Sequence, residues 1–240
     1  MKLIIVRHGD PDYERDTLTE LGWKEAEALS ERMKNVKADE CYVSPLGRAQ
    51  DTASLSLEKM HMKAETLEWL REFAPKVKRP EKTGVAWDWV PADWMNMPHA
   101  FDFDKWTDHP ALEEAGVRKE VDWIYSEFDA FLQKHGYKKE GKLFKAVEPN
   151  NDVIVFFCHF GLECILLSYL LNLPPFVMWH ASIAPPTSVT TVVTEERREG
   201  IAQFRMLSFG DTSHLYAAGM EPAFSGRFRE CFKNDYERAD

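Results

Sequence analysis

Two histidines and two arginines have the types and spacing to do chemistry. Arg7-His8-Gly9 follows Leu3 to Val6, a short apolar run with β-branched residues, the pattern of a strand buried on both faces of a parallel sheet. His159 ends a second run of this kind, Val153 to Cys158. Arg48 lies in the first turns of a helix predicted after a third strand, Glu40 to Val43, with Ser44 as hydroxyl N-cap and Pro45 in the first turn. Ligands of parallel sheets collect beyond the carboxyl ends of the strands, so these groups are expected at one end of one sheet. Guanidinium groups converging on imidazoles make an anion site, because their planar fork of donors matches phosphate oxygens and does not deprotonate. Cations that neutralise the oxygens of a phosphoryl group can replace a metal ion, and a neutral imidazole can supply the nucleophile.

The elements around these residues follow from periodicity. Gly22, Ala26, Leu29, Met33 and Val36 recur at spacings of four and three, which predicts a helix capped by Thr17 or Thr19. Gly161 to Leu171 is apolar nearly all round and belongs in the interior. Val117, Val121, Ile124, Phe128 and Phe131 give one more amphipathic helix, and Val189 to Thr194 with Ile201 to Leu207 read as a late hairpin. The fold class is therefore α/β, a three-layer α/β/α arrangement with a mostly parallel central sheet. Residues 74 to about 110 interrupt the alternation with five prolines and with Trp87, Trp89, Trp94 and Trp106, an irregular aromatic-rich insert whose leading reading is a lid. A polar C-terminal extension, about 211–240, carries Phe224, Phe228 and Phe232 at helical spacing, so part of it is expected to dock.

The chain of 240 residues carries a net charge of −10, which disfavours nucleic acid as a partner. No apolar run reaches membrane-spanning length, and Met1 to Val6 meets Arg7 without a signal-peptide pattern, so a cytoplasmic protein without a membrane partner is expected. Cys41, Cys158, Cys164 and Cys231 have no CxxC spacing and indicate neither a disulfide framework nor a zinc site. The oligomeric state is not legible.

Taken together, the motifs resemble those of the histidine phosphatase superfamily, also called the phosphoglycerate mutase-like family. Arg7-His8-Gly9 resembles its RHG signature, Ser44-Pro45-Leu46-Gly47-Arg48 through Ala53 its second arginine motif, and Cys158-His159-Phe160-Gly161 its second-histidine motif. Leu18-Thr19-Glu20-Leu21-Gly22 and Asp211-Thr212-Ser213-His214-Leu215 complete the order; the insert and tail are unmatched. The resemblance implies one domain over residues 1–240, in which His8 takes the phosphoryl group while Arg7, Arg48 and His159 bind its oxygens. It implies that Glu72, in Leu70-Arg71-Glu72-Phe73, protonates the leaving oxygen, with Glu68 and Asp10 as next candidates. A carboxyl group under partly dry aromatic cover can hold a proton near neutral pH, and paired arginines keep His8 neutral.

The expected activity is metal-independent hydrolysis of a small phosphomonoester through a phosphohistidine. Mutase-type phosphoryl transfer and a non-catalytic phosphate binder are the alternatives. The short run from His8 to Leu18 lacks the segment in which mutases place an asparagine and further phosphate contacts, and Arg15 is a possible substitute. Phe160 stands where a small residue is common and either narrows the pocket or stacks on substrate. Asp10, Trp87 and Trp89 complete the substrate-binding candidates, against the simpler readings of a turn aspartate and insert-core tryptophans. No cofactor or metal is expected, since the arginines would repel a cation.

Overall fold

In β1 (Lys2–Arg7), Leu3 and Ile5 point to one face of the sheet and Ile4 and Val6 to the other; all four are buried, as a strand covered on both sides requires. The computed structural model describes residues 1–234 and places β1 inside an eight-stranded sheet. The strands run in the order β5 (Ala64–Thr66), β4 (Glu40–Val43), β10 (Val153–Cys158), β1, β11 (Val189–Arg198), β12 (Ile201–Asp211), β9 (Leu143–Ala146) and β8 (Tyr137–Glu140). The pairings from β5 to β1 are parallel, and every pairing from β1 to β8 is antiparallel. The sheet is therefore mixed rather than mostly parallel. Two hairpins account for the difference, turned at Gly200 (φ +78°) and Gly141 (φ +62°), because a hairpin adds antiparallel strands without a crossover. Lysines and Glu140 obscure the alternation of the β8–β9 hairpin in the sequence.

Helices cover both faces. From α1 (Glu20–Met33) and α2 (Gly47–Met60), Leu29, Met33, Ala49 and Ala53 pack on Ile4, Val6, Val43, Val155 and Phe157. On the opposite face, α5 (Val117–Lys134) and α6 (Phe160–Leu171) pack on Leu3, Ile5 and Phe156. Thr19 caps α1, its hydroxyl accepting from Gly22 N at 3.0 Å. The expected Ser44 cap of α2 does not form: that helix starts after Leu46 with no side-chain cap.

Between β1 and α1 the chain forms a small hairpin of β2 (Pro11–Asp12) and β3 (Thr17–Leu18). Residues 74–110 hold the hairpin of β6 (Lys76–Lys78) and β7 (Thr83–Val85) and the short α3 (Pro91–Trp94), and end at α4 (Pro110–Glu114). Trp89, Trp94 and Trp106 are buried there, and Trp106 packs on Phe176 and Trp179 of α7 (Pro175–Ala181). After α8 (Ser213–Ala217) the described chain is not helical, so the spacing of Phe224, Phe228 and Phe232 makes no helical face. Gly226 at φ +81° leaves the helical region, and Phe232 is exposed. Docking runs instead through Ala223, whose N–H donates to Glu25 at 2.9 Å, and through the Ser225 hydroxyl, which bonds Asp10. Residues 235–240 of the extension lie outside the described residues.

The turn after β1 is pressed against the first turn of α1. A Cβ on Gly22 would lie 2.2 Å from the Asp10 carbonyl oxygen, and one on Gly9 would lie 2.8 Å from the Gly22 oxygen. Gly22→Ala should therefore destabilise the fold by about 1–3 kcal/mol in urea unfolding, despite the better helix propensity of alanine. A stabilised variant would show that this contact yields freely.

Candidate active site

β1 and β10 are adjacent and parallel, with Arg7 opposite Cys158. The chain leaves β1 for α1 on one face and β10 for α6 on the other, which opens a crevice at the carboxyl ends of these strands. His8 and His159 stand on either side of it, their ring centroids 5.1 Å apart. Ser44, following β4 on the other side of β10, bonds His159 Nε2 through its hydroxyl at 2.7 Å. The residue read as a helix cap thus orients an imidazole.

His8 Nδ1 lies 2.7 Å from the Gly9 carbonyl oxygen, which can only accept, so Nδ1 carries the proton and Nε2 keeps its lone pair. Burial, reinforced by the charges of Arg7 and Arg48, holds the His8 pKa well below its ordinary range. His159 is held down likewise, by burial first and then by His8, Arg48 and Arg7. At neutral pH the crevice therefore holds two uncharged imidazoles between two permanent cations.

The guanidiniums are anchored differently. Arg7 Nη1 donates to the carbonyls of Ala184 at 2.6 Å and Ser225 at 3.3 Å, and Gly226 lies so close that a Cβ there would be 2.9 Å from Nη1. Arg48 Nη1 pairs with Asp16 Oδ1 at 2.5 Å, and Asp16 Oδ2 accepts from Gly47 N at 2.7 Å. Nε of each arginine is buried without a hydrogen-bond partner. Thr52 ties the two motifs together, accepting from Gly9 N at 2.9 Å and donating to the Arg48 carbonyl at 2.7 Å.

Glu72 lies at the start of α6, where Oε1 accepts from Leu162 N at 3.0 Å and from Phe73 N at 2.7 Å. Crowding of its carboxyl by protein raises the pKa, opposed by Arg48, the Phe73 N–H, Arg7 and the Leu162 N–H. Gly161 makes this approach possible, because a Cβ there would sit 2.7 Å from Glu72 Oε1 and 2.6 Å from the Trp87 ring. Glu72, Arg48 and Trp87 line one cavity of about 590 Å³ with Tyr13, Leu46, Arg71, Ala74, Lys76 and Val85.

Of the remaining candidates, Phe160 and Trp89 line a second cavity of about 150 Å³ together with Trp87, and the others lie apart. Phe160 meets Trp87 edge to face at 5.8 Å and lies under Arg7. Trp89 is buried, bonds Ala86 O, and does not line the Arg48–Glu72 cavity. Asp10 is buried, bonding Thr19 and Ser225. Glu68 is exposed and lies 3.6 Å from Arg71, and Arg15 is exposed beside Asp12. Buried His214 bonds Thr187 at 3.1 Å. Among the described residues no group of three or more His, Cys, Asp or Glu is placed to hold a metal, and no helix is long and apolar enough to cross a membrane.

Residues 3–119 match the family model described as the histidine phosphatase superfamily (branch 1). The N-terminal part of the chain thus resembles this superfamily in sequence. Solved structures share the fold. The phosphoserine phosphatase of Entamoeba histolytica is 19% identical, with 89% of this chain and 98% of that chain covered and a TM-score of 0.59. A mycobacterial glucosyl-3-phosphoglycerate phosphatase is 19% identical over 87% of this chain and 98% of that one, with a TM-score of 0.56. The alpha-ribazole phosphatase of Shigella flexneri is 20% identical over 88% and 97%, also with a TM-score of 0.56. No curated protein matches the chain.

Asp16, Ser44, Glu25 and Glu163 were not legible as site residues, since each acts across a fold contact. Only Ser44 sat inside a recognisable motif. Glu163, one turn into α6, is buried with no hydrogen-bond partner of good geometry on either oxygen. Burial pushes its pKa from 4.5 up to about 7, with Glu72 adding to the rise and Thr190 and Arg7 opposing it. Between those values the folded state binds more protons than the unfolded state, so this group's contribution to stability falls as pH rises and levels off above the folded pKa. The full effect is about 3 kcal/mol. Glu163→Gln should accordingly gain stability relative to the parent between pH 5 and pH 8 in urea unfolding; an equal difference at both pH values would exclude this titration.

Proposed function

We propose that the chain is a metal-independent phosphomonoesterase acting on a small phosphorylated metabolite through a phosphohistidine. The observation that carries this reading is a neutral imidazole, His8, with Nε2 unprotonated, held between two guanidiniums and near a carboxyl group biased toward its protonated form. His8 Nε2 attacks phosphorus as the ester P–O bond breaks. Arg7, Arg48 and His159 take the phosphoryl oxygens, where charge accumulates in the transition state. Glu72 delivers its proton to the leaving alkoxide. Its carboxylate then accepts a proton from the water that attacks the phosphohistidine, releasing inorganic phosphate and free His8. The guanidiniums neutralise the bound dianion, which is the role a metal ion plays elsewhere.

The structural neighbours named above act on phosphoserine, glucosyl-3-phosphoglycerate and alpha-ribazole phosphate according to their names, and one such structure holds 3-phosphoglyceric acid. Their organic parts differ widely, which supports the coarse class and leaves the leaving group to the cavity of this chain. At about 590 Å³ that cavity lies in the range of small-molecule sites and suits an organic part larger than that of phosphoglycerate, with Trp87 as a wall.

Rapid quench with labelled substrate should trap an acid-labile, base-stable phosphoenzyme that is missing in His8→Ala, with turnover insensitive to chelator. Wild-type turnover in His8→Ala, or activity lost to EDTA and restored by zinc, would overturn the mechanism. Glu72→Gln should slow an alkyl phosphate about 100-fold or more while slowing p-nitrophenyl phosphate far less, because a nitrophenolate leaves without protonation. Equal losses on the two esters would move the acid role to another group.

A further inference from the structure

The cavity that contains Arg48 and Glu72 is lined by both a buried and an exposed cation. Arg48 is buried, with the exposed Tyr13 ring over its guanidinium at 5.4 Å, whereas Lys76 is exposed at the mouth. Leu46, Ala74, Val85 and Trp87 supply the apolar lining. Trp87 is fixed by a hydrogen bond from Nε1 to the Phe73 carbonyl at 3.0 Å, so this wall is preformed.

The charge at the outer end is unbalanced. Arg71 is already engaged, by Glu120 at 2.7 Å and by the Trp123 ring at 5.0 Å. Arg79 and Lys82, further along the same basic segment, share Asp88 at 3.1 and 3.5 Å. The Lys76 ammonium makes no hydrogen bond or ion pair with any described residue. It lies on β6, where Val77 is buried, so the alternation of the strand turns the ammonium outward at the cavity mouth. The only carboxyl among the lining residues is Glu72, which is biased toward its neutral form and committed to the inner end. With Arg48 paired to Asp16 and Arg71 to Glu120, Lys76 is the lining cation that no described carboxylate balances.

We propose that the organic part of the substrate carries a second anionic group, which Lys76 binds at the outer end of this cavity. This inference rests on the phosphatase reading, because it takes the inner end to be filled by the phosphoryl group. Four peptide steps lead from Glu72 to Lys76 and span at most about 14 Å. The substrate is thus a phosphomonoester with an apolar middle short enough to bridge the leaving oxygen and a terminal carboxylate or phosphate.

Two synthetic esters test this, para-carboxybenzyl phosphate and its para-carbamoyl counterpart, in which a methylene insulates the leaving oxygen from the ring substituent. The readout is the ratio of kcat/KM, charged over neutral. The wild-type protein should favour the charged ester, and Lys76→Met should lower the ratio about fivefold, the size of an exposed or partly exposed ion pair. Lys76→Glu should lower it further, and raising the ionic strength should erode the wild-type preference. The ratio needs only active enzyme and is insensitive to the folded fraction. An identical ratio in wild type and Lys76→Met overturns the inference while leaving phosphatase activity intact. Hydrolysis of p-nitrophenyl phosphate but of neither benzyl ester also overturns it alone. Failure to hydrolyse any of the three esters overturns the phosphatase reading and this inference with it.

Discussion

The structure depends on keeping positive charge concentrated at the end of a sheet where water is scarce. A buried guanidinium without partners is costly, and two side by side repel. The two are stabilised unequally. Arg7 is held by neutral carbonyls from Ala184 and Ser225, which fix its plane and leave its charge uncompensated, whereas Arg48 is paired with the Asp16 carboxylate. The imidazoles respond by staying neutral. The result is a pocket short of negative charge, with its donors already oriented, and a phosphoryl dianion meets that need without reorganisation.

Meeting this constraint recruits distant parts of the chain. Ala184 precedes β11, and Ser225 belongs to the segment after α8, which also bonds Asp10 and satisfies the buried Glu25 through Ala223 N. The C-terminal segment is in this sense part of the pocket wall. Asp16 has φ +50° and lies so close to Gly47 that a Cβ there would be 2.1 Å from the Asp16 carbonyl oxygen. The short loop after β1 and the first turn of α2 therefore fit each other closely, and the Arg48 charge is positioned by that fit.

Glu72 shows how opposing terms are resolved in one group. The N–H groups at the start of α6 and both arginines favour its carboxylate form, while crowding by protein favours the acid, and the crowding prevails in direction. A proton donor near a cationic pocket is otherwise hard to maintain, since the same cations would strip the proton. Gly161 allows the balance by letting the carboxyl approach the helix start and the Trp87 ring together.

The residues Arg7, His8, Arg48, His159 and Glu72, the buried strands β1 and β10 and the helices α1, α5 and α6 were legible in the chain, because each is set by local periodicity or by a contiguous motif. The same local signals misplaced Ser44, whose hydroxyl turned to His159, and proposed a helical face for Phe224, Phe228 and Phe232 that the segment does not form. They also pointed to a mostly parallel sheet where the sheet is mixed, because a strand buried on both faces reads alike in either direction. By itself the sequence determined which groups stand at strand ends and helix starts. Only the tertiary structure decided which charges are paired, which imidazole nitrogen keeps its lone pair, and that the Lys76 ammonium opens onto the Arg48–Glu72 cavity. Those outcomes depend on contacts between residues far apart in the chain and on exclusion of water, and neither leaves a pattern in neighbouring letters.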